Sequence, residues 1–273
     1  LLLACAALVS TAGAPVWAQG KLEAQYVATL AGIPVGKGSW VINIDGSRYQ
    51  AAASGVTTGL MQVLTGGEGT TAVRGTINDG KMMSAIYAAT IRTRQETSEV
   101  RLVVDRGDVT DFRIEPPQDK ESERVPLTKD HQQDVLDPMT ASLLPVAGNG
   151  SLMAPQACQR KVAVFDGRLR YDLQLVFKRM DKVQAEKGYE GPVVVCSVYF
   201  SPVAGHIPSR KTIRYLTEMR DMEIWLAPIA GTRVLVPFRA EGPTPIGKAV
   251  LEAEQFVSVP TPSRAAFEGV KGQ

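Results

Sequence analysis

Between Leu22 and Val257 the chain runs largely in short stretches of alternating apolar and polar residues, each closed by a turn signal. A period of two puts every second side chain on one face, the mark of a half-buried β-strand. Leu22 to Leu30 stops at Gly32-Ile33-Pro34. Gly38 to Ile44 and Tyr49 to Val56 flank Asp45-Gly46-Ser47, whose Asp-Gly step suits the positive φ of a tight hairpin. Thr70 to Ile77, Met82 to Arg92, Thr97 to Val104 and Val109 to Ile114 follow in the same style, up to Pro116-Pro117. After a polar stretch the pattern resumes with Gln159 to Phe165, Leu169 to Phe177, Val193 to Phe200, Met222 to Leu226, Thr232 to Arg239 and Ala249 to Val257.

Roughly a dozen strands with no strand–helix–strand alternation exclude a parallel nucleotide-binding sheet. So many antiparallel strands must protect their edges, and curling is a common solution. The expected fold is therefore mostly β: an antiparallel curled sheet, open β-barrel or β-spiral with one or two short helices. One helix is expected over Thr57 to Leu64. The other is expected over Asp137 to Val146, where Asp137 caps the first amides, Pro138 takes the first helical position, and Met139, Leu143 and Leu144 share a face.

The chain opens with an apolar run, Leu1 to Val9, followed by small residues and Val16-Trp17-Ala18. This reads as the core and cleavage site of an export leader, 1–18, lacking its basic start. The run is too short to span a bilayer, which takes about 20 apolar residues, and no later segment is long and apolar enough. Cys5 behind Leu2-Leu3-Ala4 offers a competing reading as a lipidated N-terminus, but the apolar Ala6-Ala7-Leu8-Val9 follows where a tethered protein would show a polar spacer. About 255 residues follow Ala18, enough for one large all-β domain. We expect that domain over 19–259 and a disordered Pro-Thr-Pro-Ser tail over 260–273.

Beyond Ala18 only Cys158 and Cys196 remain, each in a stretch that reads as strand. An export leader and two remaining cysteines predict an oxidising compartment and one disulfide. If their strands are antiparallel neighbours, the bridge joins them directly. A redox pair is the alternative, but such pairs sit close together at a helix start.

Chemistry is harder to find. Lys+Arg number 30 against 28 Asp+Glu with no basic run, so neither nucleic acid nor an anionic membrane surface is expected. Aromatic residues make up only 6%, too few for a base- or sugar-stacking platform. His131 and His206 are the only histidines and have no cysteine or carboxylate at ligand spacing, so no metal is expected. Gly66-Gly67-Glu68-Gly69 lacks the Lys-Ser/Thr of a phosphate loop. Asp166 and Asp137 are explained by a turn and a helix cap. We assign no catalytic residue and no cofactor. Met61, Leu64, Met82, Met83, Met139, Leu143 and Leu144 cluster in or beside the non-strand segments. Of these, Met61, Leu64, Met82, Met139, Leu143 and Leu144 are candidates to line an apolar groove, because flexible methionines suit irregular pockets as well as ordinary cores.

Several short motifs recur in order: Gly32-Ile33-Pro34-Val35-Gly36, Val135-Leu136-Asp137-Pro138-Met139, and Cys158 with Val164-Phe165-Asp166-Gly167-Arg168 and Arg170-Tyr171. Cys196, Pro202-Val203-Ala204-Gly205, Trp225-Leu226-Ala227-Pro228 and Val236-Pro237 complete the set. Over about Tyr26 to Val257 the sequence resembles the proteobacterial domain-of-unknown-function family 3108. The resemblance implies an exported, periplasmic envelope protein and no catalytic residues. The leading expectation is a non-enzymatic binding or scaffolding role in envelope maintenance, with a lipid or acyl chain, a lipoprotein segment or a partner protein as ligand. A hydrolase or transferase would need His206 to meet Asp137 or Asp166. A strand-edge interaction module is the third reading.

Overall fold

The computed structural model describes residues 19–64, 66–78 and 80–261; the proposed leader and residues 262–273 of the expected tail lie outside them. Seven strands come first: β1 (Gly20–Leu30), β2 (Ile33–Asp45), β3 (Arg48–Thr57), β4 (Glu68–Asn78), β5 (Lys81–Arg92), β6 (Thr97–Asp105) and β7 (Asp108–Glu115). Each pairs antiparallel with the next, and helix α1 (Gly59–Leu64) interrupts the β3–β4 connection. A long connection then carries helix α2 (Pro138–Ala141) and the short strand β8 (Leu144–Pro145).

The second half contains β9 (Arg160–Phe165), β10 (Arg170–Gln184), β11 (Lys187–Gly188) and β12 (Glu190–Ala204). Helix α3 (Lys211–Glu218), β13 (Glu223–Pro228), β14 (Val234–Thr244) and β15 (Gly247–Pro260) follow. The sheet order is β7-β6-β5-β4-β3-β2-β1-β15-β14-β13-β12-β10-β9. Two meanders are thus joined where the first described strand meets the last, with Gly20 opposite Pro260. The mostly antiparallel β expectation holds.

The ladder does not close, because β7 and β9 are its two ends. Curling nevertheless brings them together through side chains. Phe112 of β7 and Phe165 of β9 meet edge to face at 5.6 Å. Arg168 donates to Ser98 Oγ at 3.2 Å and to the Pro116 carbonyl at 2.9 Å. Gly167, at φ +91°, lies so close to β6 that a Cβ there would sit 2.8 Å from Val100 Cγ1. The free edge of β9 is partly covered as well, since Leu136 bridges to Val164 and exchanges backbone hydrogen bonds with Ala163 and Phe165.

The concave face wraps a core that includes Leu22, Ile42, Val73, Leu102, Phe165, Val195, Phe238 and Phe256, with Val135, Met139 and Leu143 packed inside. The α2 segment is thus a plug. Asp137 Oδ1 accepts from the Met139 and Thr140 amides, each at 3.0 Å, the capping expected of it. Gly75 allows the plug's partner Tyr49 to lie flat on the sheet, since a Cβ there would meet the Tyr49 ring at 2.6 Å.

A second core lies on the other face of the later meander. Leu144, Ala157 and Cys158 pack on Leu175, Val194, Cys196, Val198, Leu226 and Leu235. Strands covered on both faces have no solvent side, which is why Val193-Val194-Val195-Cys196 is apolar without alternation.

Three expectations need correction. The second helix stops at Ala141 rather than Val146, because Leu144–Pro145 pairs with Val234 and Leu235 of β14. Met139 and Leu143 therefore face the inner core, whereas Leu144 faces the outer one. Cys158 ends a short 3-10 turn, Pro155–Cys158, and is not on a strand. The cysteines do form a disulfide, with Cα atoms 5.5 Å apart, but β10 lies between β9 and β12, so the bridge does not join neighbouring strands. It fastens the turn preceding β9 onto the outer face of β12.

Candidate functional site

Cross-strand register determines what faces inward along the first meander. One row reads Leu22, Ile42, Ala51, Val73, Tyr87 and is filled with bulk. The next reads Ala24, Trp40, Ala53, Thr71, Ala89. The third reads Tyr26, Gly38, Gly55, Gly69, Ile91, with three glycines side by side on adjacent strands. Glycine inside a strand leaves no side chain to pack and marks a place where something else approaches the backbone. The spiral is therefore filled at one end and hollow at the other.

The hollow is a cavity of about 740 Å³. Its walls are Tyr26, Trp40, Tyr87, the glycine row, Pro237 and Leu251, with Met61 of α1 also lining it. Pro138, Met139 and Ser142 of the α2 plug form its floor. Ile91 and Val56 lie at the rim, 57% and 49% exposed, and extend the apolar surface outward. This is the size and character of a small-molecule site: concave, mainly apolar and pre-formed. A smaller depression of about 480 Å³, lined in part by Val41, Asn43, Gln50, Ala52, Ala72, Arg74 and Arg101, is more polar.

Of the six groove candidates, Met61 and Met139 line the cavity. Met82 and Leu143 are buried in the inner core, and Leu144 is buried in the outer one. The Leu64 side chain lies outside the described residues. Tyr26, Trp40, Tyr87 and the glycine row escaped the sequence reading. A signal was present, since glycines fall on the inward phase of three successive strands, but it emerges only once the strands are aligned.

The polar groups around the cavity are few. Tyr26 donates to the Pro237 carbonyl at 2.7 Å, and burial pushes its hydroxyl pKa up. Burial also raises Tyr87, with the nearby Thr71 hydroxyl opposing it, although no hydrogen bond of ordinary geometry joins the two. Trp40 is 8% exposed and no protein group accepts from its Nε1.

Beneath the floor, burial raises the Asp137 carboxyl, while Thr140, Ser84 and Met139 partly oppose the shift. Its Oδ2 and Ser84 Oγ have no bond of ordinary geometry. Asp166 is raised by burial too, and its Oδ1 accepts from the Arg168 and Leu169 amides in a turn. His206 is buried, and burial pulls it below the ordinary histidine range. Among the described residues, no hydrogen bond or ion pair joins His206 to a carboxylate, and no three His, Cys, Asp or Glu side chains gather to hold a metal. His131 is engaged locally, its Nδ1 accepting from the Thr128 amide at 3.1 Å.

A charged cluster surrounds Trp225, but its members satisfy one another. The Arg179 and Arg239 guanidinium groups stack over the ring at 5.2 and 5.0 Å, and Trp225 Nε1 donates to Asp181. Glu223 pairs with Lys178 and Arg179, and Glu241 with Arg239 and Lys248.

The fold and cleft define a β-spiral with an apolar end cavity and few polar groups around it. Residues 25–254 match the family described as a protein of unknown function (DUF3108), and the chain belongs to that family. No curated protein and no solved structure matches it. Among the described residues, no helix is long and apolar enough to cross a membrane.

Proposed function

We propose that this chain is a non-enzymatic binding protein of the periplasm, serving cell-envelope maintenance, and that its end cavity takes up an acyl chain. The observation that carries this reading is the glycine row Gly38–Gly55–Gly69, which hollows the inner face just where aromatic walls and the Met139 floor provide apolar contact. Burying apolar ligand surface there is worth about 25 cal/mol per Å² removed from water, before the costs of association. A free acyl chain and the acyl group of a lipoprotein present the same chemistry to such walls. The disulfide between two fully buried sulfurs favours an oxidising compartment, and the apolar start of the chain reads as an export leader.

The test is titration with N-phenyl-1-naphthylamine, an uncharged apolar fluorophore, alongside native mass spectrometry of protein isolated from the periplasm. One saturable probe site displaced by acyl compounds is the expected result. A protein that binds no probe and is always bare in the mass spectrometer overturns the proposal.

A further inference from the structure

Resting on that reading, we infer that the hollow end of the spiral docks on a lipid bilayer, with the tips of two adjacent turns entering the acyl layer beside the cavity. Among the described residues, the three most exposed large apolar side chains are Ile246 at 72%, Ile33 at 66% and Ile91 at 57%. All three lie at the hollow end. Ile91 closes the glycine row and lines the cavity. Ile33 opens β2 opposite Leu30, beyond that row, and Ile246 sits in the turn between β14 and β15. The two turns touch. The Ala31 amide donates to the Lys248 carbonyl at 2.8 Å, and a Cβ on Gly247 would lie 2.6 Å from Ala31 Cβ. Gly32-Ile33-Pro34 and Pro245-Ile246-Gly247 thus form a double tip with one isoleucine on each half. Val56 and Leu251, 49% and 42% exposed, carry the apolar surface on into the cavity.

Single exposed aliphatic residues are ordinary on a protein surface, but their convergence at one end marks a contact. A protein partner is met by a close-fitting patch whose centre is enriched in aromatic side chains. Here the apolar groups are aliphatic, stand on separate turns and strand ends, and flank an opening. A fluid acyl layer needs no complementary shape, and its hold on a protein grows with the apolar area it receives. The cavity gives a second reason. An acyl chain crossing water to reach it would expose every methylene, which is unfavourable throughout its length. With the rim seated on the bilayer, the chain passes from one apolar medium directly into another.

Charge is secondary. Beside the tips, Arg92 is held by Glu68 at 2.9 Å and Lys248 by Glu241 at 2.7 Å. Lys37 and Arg94 are exposed and add a modest preference for anionic headgroups. Insertion of the isoleucines therefore carries the contact, and a bilayer without net charge suffices for it.

The experiment is flotation of the protein with vesicles of pure phosphatidylcholine, and with vesicles of phosphatidylcholine and phosphatidylglycerol in equal parts. Wild type should bind both, the second somewhat more tightly. Ile33→Ser and Ile246→Ser should each weaken binding to phosphatidylcholine about tenfold, the worth of one isoleucine withdrawn from an apolar phase. Val259→Ser removes an exposed apolar side chain, 49% exposed and opposite Lys21 at the filled end, and should change nothing. Equal loss in all three variants overturns this inference, as does wild type that floats with neither vesicle. Binding to the anionic vesicles alone, abolished by salt, overturns it too. Titration of each protein with N-phenyl-1-naphthylamine in the absence of vesicles separates the two readings. Both tip isoleucines are exposed, so their variants should fold and take up the fluorophore as wild type does. Failure of every protein to bind the fluorophore overturns the proposed function itself.

Discussion

The Tyr49 hydroxyl of β3 meets the Thr140 hydroxyl of α2 at 2.7 Å, joining sheet and plug across 91 residues of chain. Both groups are buried, so each is the other's means of avoiding an unmatched polar atom. Tyr49→Phe should lower unfolding free energy by about 1–2 kcal/mol, since Thr140 is left without its partner. In the double variant with Thr140→Val the losses should fall short of their sum by roughly 1 kcal/mol, as expected for a contacting pair. Urea titration of the four proteins measures this; strict additivity would mean that the two hydroxyls are not coupled.

Asp137 gives a pH signature. Its carboxyl is raised in the folded protein, chiefly by burial, so the folded state holds its proton more tightly than the unfolded chain. The associated stability is fully present below the ordinary carboxylate range and is lost as pH rises through the raised value. Asp137→Asn keeps an oxygen to cap the Met139 and Thr140 amides and removes the charge. Wild type should therefore lose stability relative to Asp137→Asn as pH climbs from the carboxylate range toward neutrality, and Asp137→Ala should be less stable than Asp137→Asn throughout. Unfolding curves across that pH range supply the comparison, and a constant wild-type-to-Asn difference would refute the assignment.

Gly55 separates binding from stability. A Cβ there would meet only the Lys37 carbonyl oxygen at 3.5 Å, an ordinary contact. Gly55→Val should therefore be accommodated, with stability unchanged or raised by up to about 1 kcal/mol, because glycine weakens a strand interior and valine favours it. The new side chain points into the cavity and should abolish N-phenyl-1-naphthylamine binding. Retained binding in a well-folded Gly55→Val protein would show that the probe sits elsewhere.

The disulfide spans 38 residues and both sulfurs are fully buried. Native, non-reduced protein should therefore give no thiol labelling at Cys158 or Cys196. Replacing both with alanine should cost about 4 kcal/mol by the chain-entropy relation for a loop of this size. Guanidinium melts of the two proteins check the second value.

How much was legible in sequence follows from what depends on near neighbours. Alternation and Asp-Gly or Asn-Asp-Gly steps are local, so Tyr49 to Val56 or Thr97 to Val104 could be placed within a residue or so. Asp137-Pro138 announced a helix start for the same reason. Its end was misplaced because Pro145 is accommodated in a short strand against β14, a partner about 90 residues away. Helix α3 escaped notice because it has no side-chain cap to mark its start and is only 8 residues long, too short for its apolar period to repeat more than about twice. The cleft was less visible still. Gly38, Gly55 and Gly69 are unremarkable one by one, and only pairing sets them in a row. The two cysteines were recognisable as a pair, but the route of 144–158 over the outer face was not.

The seam between β1 and β15 pairs residues 219 to 240 positions apart, from Leu30 with Ala249 to Gly20 with Pro260. Distant pairings form late, since the loop they close is costly until other contacts support it. Of the described strands, the first to emerge during synthesis must wait for the last before its second edge is covered. The described sheet is thus left open along its middle until β15 has been made.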